Sequence, residues 1–96
     1  MDKIKTHCWD AADHLKTEED MAEYLDAALE MDDPALLAAA IGDIARAKGM
    51  TAIARESGLG RESLYKALSA DGNPELATVM RVLKSLGLGL RARPLP

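Results

Sequence analysis

Residues 50–69 read Met-Thr-Ala-Ile-Ala-Arg-Glu-Ser-Gly-Leu-Gly-Arg-Glu-Ser-Leu-Tyr-Lys-Ala-Leu-Ser, and their types and spacing suit recognition of a polyanion. Two short amphipathic runs flank Gly58-Leu59-Gly60. Small Ala54 lets two helices approach, and Gly58 admits a tight turn. Ile53, Leu59, Leu64 and Leu68 supply an apolar wedge that holds the pair at a steep angle. Thr51 is expected to cap the first helix. This is the helix-turn-helix layout, whose second helix enters the major groove of DNA.

That second helix is expected over about 61–69, burying Leu64, Ala67 and Leu68 and turning Arg61, Glu62, Tyr65, Lys66 and Ser69 outward. Arg61 is placed to reach guanine acceptors or phosphate, and Lys66 is a natural phosphate contact. Glu62 can accept from a cytosine amino group, orient Arg61, or pair with Lys66 four residues on. Tyr65 either meets the DNA backbone or packs half-buried. Thr51, Arg55, Arg61, Glu62, Ser63, Tyr65, Lys66 and Ser69 form the candidate DNA-binding set. Ser57 departs from the pattern, because a large apolar residue is more usual just before the turn glycine, and looser packing is expected there. Helical hairpins that bind no DNA share the Ala-x3-Gly-x5-Leu spacing, so a mere packing device is the competing reading.

Other chemistries find little support. His7, Cys8 and His14 have no ligand-like spacing on one helix face, and there is no second cysteine, so no metal site is expected. Cys8 and Trp9 read as a small apolar anchor for the N-terminus. No nucleophile is matched with a histidine base, and Gly87-Leu88-Gly89 ends a helix rather than opening one around a phosphate. The carboxylates of residues 18–33 lie on an exposed face. A non-enzymatic protein without cofactor is expected. A lone cysteine implies a reducing compartment, Met-Asp-Lys-Ile-Lys lacks a secretory apolar core, and no run approaches the ~20 apolar residues of a membrane helix, which together point to the cytoplasm.

The elements that must position residues 50–69 are legible. The chain of 96 residues fits a single domain, 48% hydrophobic and without phenylalanine. Asp10 is expected to cap a short turn over Ala11–Leu15. Thr17 then caps a helix over roughly 18–31, with Met21, Leu25, Ala28 and Leu29 on one face. Asp33-Pro34 restarts the chain with an N-cap and a proline at the first helical position, and Leu37, Ile41 and Ile44 form a stripe that ends at Lys48-Gly49. Asn73-Pro74 is expected to open the last helix, with Leu76, Val79, Met80, Leu83 and Leu86 on one face and Gly87 as its stop. Leu88 to Arg93 alternates with period two, the mark of a half-buried strand. It could pair with Lys3–Cys8, with its copy in a dimer, or with another protein, or stay frayed. The expected architecture is all-α: an acidic helical extension (1–33), a helix-turn-helix bundle (34–87) and a strand-like tail (88–96).

Charge divides along the same lines. Residues 1–40 carry eleven acids and three bases, and residues 41–96 carry nine bases and five acids, so the net −4 separates into −8 and +4. A cationic half for a polyanion and an anionic half for a basic protein follow, against the plainer alternative of solvated helix faces.

Tyr24-Leu25-Asp26-Ala27-Ala28-Leu29, the run Asp33 to Met50, and Gly60-Arg61-Glu62-Ser63-Leu64-Tyr65-Lys66-Ala67-Leu68-Ser69 with Gly72-Asn73-Pro74-Glu75 resemble the addiction-module antidote family, the HigA-like antitoxins of type II toxin–antitoxin systems. The likeness spans roughly residues 9–91, and the block from Arg61 to Ser69 is its most specific part. Trp9-Asp10-Ala11-Ala12-Asp13-His14-Leu15 is similar to the family's opening aromatic-Asp-x-x-x-x-Leu segment, with His14 where an aromatic is common. The resemblance implies a compact λ-repressor-like helical domain that neutralises a basic RelE/ParE-type (HigB-like) toxin by direct binding. It also implies repression of its own operon by a homodimer on double-stranded, palindromic operator DNA. Two alternatives stand beside it: a stand-alone phage or prophage regulator without a toxin, and a protein-interaction module that binds no DNA.

Overall fold

The computed structural model describes residues 11–96. Their regular structure is all helical: α1 (Ala11–His14), α2 (Glu18–Glu30), α3 (Pro34–Lys48), α4 (Met50–Ser57), α5 (Arg61–Ala67) and α6 (Leu76–Leu86). The N-terminal features built on Asp10, Cys8–Trp9, His7 and Lys3–Cys8 lie outside the described residues.

Local chemistry starts α2 and α3 where the sequence places them. Thr17 Oγ1 accepts from the Asp20 backbone N–H at 3.0 Å, and Asp20 Oδ2 accepts from the Thr17 N–H at 3.1 Å, which closes a capping box. The Lys16 N–H donates to the same carboxylate oxygen. These N–H groups of Thr17 and Lys16 hold the Asp20 carboxyl below its ordinary range. Asp33 Oδ1 likewise accepts from Ala35 N–H at 3.0 Å, ahead of Pro34 at the first helical position.

Helix α3 is the hub against which every other helix packs. Its small residues Ala38, Ala40, Gly42 and Ala45 are buried beside Ile41 and Ile44, so neighbours can come close. Met21 and Leu25 from α2, Ile53 from α4, Leu64 from α5 and Val82, Leu83 and Leu86 from α6 complete one continuous core.

Several expected boundaries shift. Helix α4 begins at Met50, because the sharp bend at Gly49 (φ 116°) ends α3 and starts α4 at one residue; Thr51 therefore falls in the first turn and is no cap. Helix α5 ends at Ala67, two residues early, with Leu68 (ψ 50°) leaving the helical region. Helix α6 starts at Leu76, not at Asn73-Pro74. Gly72 lies tight against the carbonyls of Lys66 and Ala67, and half-buried Pro74 lines a hollow with Pro34, Leu37, Ile41 and Val79. The segment stays non-helical through Glu75, which becomes the cap residue of α6. The buried face of α6 is set by Val82, Leu83 and Leu86, which leaves Leu76 69% and Met80 59% exposed at its edge.

The expected C-terminal strand does not form: residues 88–96 are non-helical coil. A lone period-two segment has no ladder without a neighbour. Instead, Leu88 N–H donates to Leu83 O at 2.9 Å as α6 closes, Leu88 packs on the core, and the chain crosses α2.

Candidate functional site

The α4–α5 unit is built on one buried seam. Gly58 and Leu59 N–H both donate to Ala54 O at 3.1 Å, and Gly58 adopts φ 77°, where a β-carbon would be strained. Helix α5 begins three residues later, at Arg61. Seven residues are far fewer than the ~12–15 an isolated helix needs in water, so packing fixes its form: Leu64 and Ile53 are fully buried, Leu68 is nearly so, and Leu59 is half-buried.

With Leu64 facing inward, Arg61, Glu62, Ser63, Tyr65 and Lys66 are all exposed, and so are Thr51 and Arg55 on α4. Ala67 and Ser69 are half-buried. Ser69 lies beyond the helix, and its hydroxyl donates to Lys66 O at 3.0 Å. Arg61 leans along α5: its Nη2 donates to Tyr65 Oη at 3.5 Å, and the guanidinium carbon stands 5.6 Å from the ring centroid. Tyr65, 44% exposed, thus holds Arg61 from the solvent side of the helix and is not wedged into the core. Both charges of α5's one anion–cation spacing, Glu62 and Lys66, remain open to solvent. The arrangement presents hydrogen-bond donors, an aromatic edge and positive charge on the solvent-facing side of one helix. Ser57 is buried and its hydroxyl makes a long 3.4 Å contact to Ala54 O, beside an open cleft also lined by Glu56, Arg81, Lys84 and Ser85.

A second surface of opposite sign lies on α2, whose 13 residues contain six acids and no lysine or arginine. Glu23, Asp26 and Leu29 form one wall of a cleft of about 370 Å³, and Leu88, Leu90 and Arg91 form the other. Beyond the cleft, Arg93 Nη2 meets Glu30 Oε2 at 2.5 Å. Donation to the Glu30 carboxylate, with the nearby charges of Asp26 and Glu30, pushes the Arg93 guanidinium above its ordinary value. Sequence patterning missed this contact, because the alternation of residues 88–93 pointed to a strand. The available clue was two arginines in the tail and a base-free acidic helix upstream.

Among the described residues no three His, Cys, Asp or Glu side chains are grouped to hold a metal ion, and no helix is long and apolar enough to cross a membrane.

Comparison with known proteins places the chain in a family. An uncharacterized protein of Haemophilus influenzae (strain KW20 / Rd) is 52% identical over 80 residues, which cover 83% of this chain and 82% of that protein. No solved structure matches the chain. The family model described as "Probable addiction module antidote protein" matches residues 5–94. That span takes in the acidic helix, the α4–α5 unit and the tail alike, and the chain belongs to this family of probable addiction-module antidotes.

Proposed function

We propose that this chain is a HigA-like antitoxin with two binding activities and no catalytic one. The acidic N-terminal half engages and neutralises a basic toxin of the RelE/ParE (HigB-like) type. The α4–α5 unit, in a λ-repressor-like arrangement, binds operator DNA and represses the chain's own operon. Family membership supports the antitoxin role and implies a toxin partner. The observation that carries the DNA-binding half is the solvent-facing row Arg61, Glu62, Ser63, Tyr65 and Lys66 on a helix clamped from behind by buried Leu64. A single seven-residue helix touches few bases, so a homodimer on half-sites about 34 Å apart is the expected operator complex.

Two experiments test the reading. Fluorescence anisotropy against the DNA upstream of its reading frame, at roughly 50 and 200 mM salt, should show affinity falling steeply, because counterions released from the phosphates gain less entropy in the more concentrated salt. Salt-independent binding, or none, leaves α4–α5 as a packing device. Co-expression with the adjacent reading frame should yield a complex that elutes as one species. DNA binding without such a complex would favour a stand-alone regulator of phage or prophage type.

A further inference from the structure

The stripe Glu19, Glu23, Asp26 and Glu30 recurs at helical spacing along one side of α2, all four exposed. Like charges three and four residues apart repel each other and destabilise a helix. Nothing on α2 itself relieves them, since the helix has no base. Beside the stripe the surface is apolar: Ala22 and Leu29 border the cleft, and Leu29 is 40% exposed. An acidic row flanking an aliphatic floor suits one kind of ligand, an extended segment that alternates aliphatic and arginine side chains.

The chain supplies such a segment itself. Leu88-Gly89-Leu90-Arg91-Ala92-Arg93 lies along α2, with Leu90 and Arg91 in the cleft and Arg93 on Glu30. The seat is poor. Leu90 is 47% exposed, Arg91 is exposed, and a cleft of about 370 Å³ stays open between tail and helix. Arg93 pairs with Glu30, and the two positive charges of Arg91 and Arg93 fall short of the four negative charges of the stripe, so negative charge is left over. Ion pairs this exposed are screened by water and hold the tail only weakly.

We propose that the α2 cleft is the docking site for an arginine-bearing extended segment of the partner toxin, and that residues 88–93 fill it as a weak internal substitute which that segment displaces. This rests on the antitoxin reading above and names the surface it uses. A toxin segment with more arginines and larger aliphatic groups neutralises the whole stripe and fills the open cleft, which the tail does not.

The test uses the full-length chain and two exposed-site double variants, Glu23→Lys with Asp26→Lys, and Arg91→Glu with Arg93→Glu, each checked for unchanged helicity by circular dichroism. The toxin probe is the purified product of the adjacent reading frame. Reversing the stripe should weaken toxin binding by about tenfold or more, and repelling the tail should strengthen it by about threefold to tenfold. Equal affinity in all three proteins overturns the proposal, and so does weaker binding after the tail substitutions, which would make the tail a toxin contact. A labelled peptide with the sequence of residues 87–96 provides a second readout that needs no toxin. It should bind the tail variant and lose that binding when the two α2 lysines are added; failure to bind shows that the cleft holds no such segment. A wild-type chain that ignores the toxin while the peptide still binds overturns the antitoxin reading and the partner named here, but not the cleft's preference for arginine.

Discussion

A β-carbon placed on Gly42 would stand 2.2 Å from the carbonyl oxygen of Leu68, so the middle of α3 and the end of α5 meet backbone to side-chain-free backbone. Propensity and packing oppose each other here. Glycine inside a helix is about 1 kcal/mol less favourable than alanine, which alone would make Gly42→Ala stabilising. Overpacking a closed contact costs about 1–3 kcal/mol, and a backbone carbonyl cannot rotate aside as a flexible side chain can. The steric cost wins. Gly42→Ala should lower stability by about 1–2 kcal/mol, read as a reduced urea midpoint at unchanged slope. A raised midpoint would mean that α5 is not pressed on α3.

The pairing of α2 with α3 has a polar clasp. Tyr24 Oη donates to Asp43 Oδ2 at 2.6 Å, and Asp43 Oδ1 also accepts from Arg46. Tyr24→Phe keeps the ring and removes the donor, while Arg46 continues to neutralise the carboxylate. A partly buried hydrogen bond to a charged acceptor contributes about 1–2 kcal/mol. Calorimetry should therefore record a lower Tm for Tyr24→Phe. An unaltered Tm would show that water replaces the phenol without loss.

Acid should weaken the start of α2. The Asp20 carboxyl titrates below its ordinary 3.8 in the folded chain because the Thr17 and Lys16 N–H groups bind its charged form. Its contribution is thus complete above 3.8 and disappears as pH falls through the lower, folded value. Asp20→Asn should be less stable than the parent near neutral pH and converge on it as the pH falls below the lowered, folded-state pKa. Parallel stability curves across that range would count against the capping box as the cause.

Variants on α5 should separate base reading from charge. Arg61→Ala is expected to lose about 1–3 kcal/mol of operator affinity and to relax base preference, if its guanidinium makes a bidentate base contact. Lys66→Ala should weaken binding evenly across sequences and flatten the salt slope by about one. Tyr65→Phe retains the ring beneath Arg61 and removes only the 3.5 Å contact. It should therefore behave closer to the parent than Tyr65→Ala does. An unchanged footprint for Arg61→Ala would strike Arg61 from the reading set.

Those parts of the fold governed by neighbours in sequence were legible in it. The Thr17 and Asp33 caps, Pro34 at the head of α3 and the left-handed Gly58 turn depend on residues within four positions of one another, and each stands where the sequence puts it. The misplacements came from contacts across the globule. Gly72 is pressed on the Lys66 and Ala67 carbonyls and the chain stays non-helical to Glu75, so α6 starts late. Gly49 absorbed two helix ends, which displaced the expected cap at Thr51. Leu76 and Met80 match the period of α6, yet its buried arc is centred on Val82 and Leu86, which periodicity alone does not locate. Alternation over residues 88–93 was real, but it fits an extended segment lying on a helix as well as one in a sheet. Of the candidate site, the outward set on α5 could be read because burial of Leu64 and Leu68 dictates it, whereas Ser69 was lost to the early end of the helix.

Helix α5 owes its form to what lies under it. It spans seven residues, has no side-chain cap at its N-terminus, and rests on Leu64 with Ile53 behind. The outward row therefore has no mechanical independence from the interior. Genetic screens for lost recognition should return interior lesions alongside surface ones, at positions no ligand ever meets, and their severity should grow with temperature while that of Lys66 lesions grows with ionic strength.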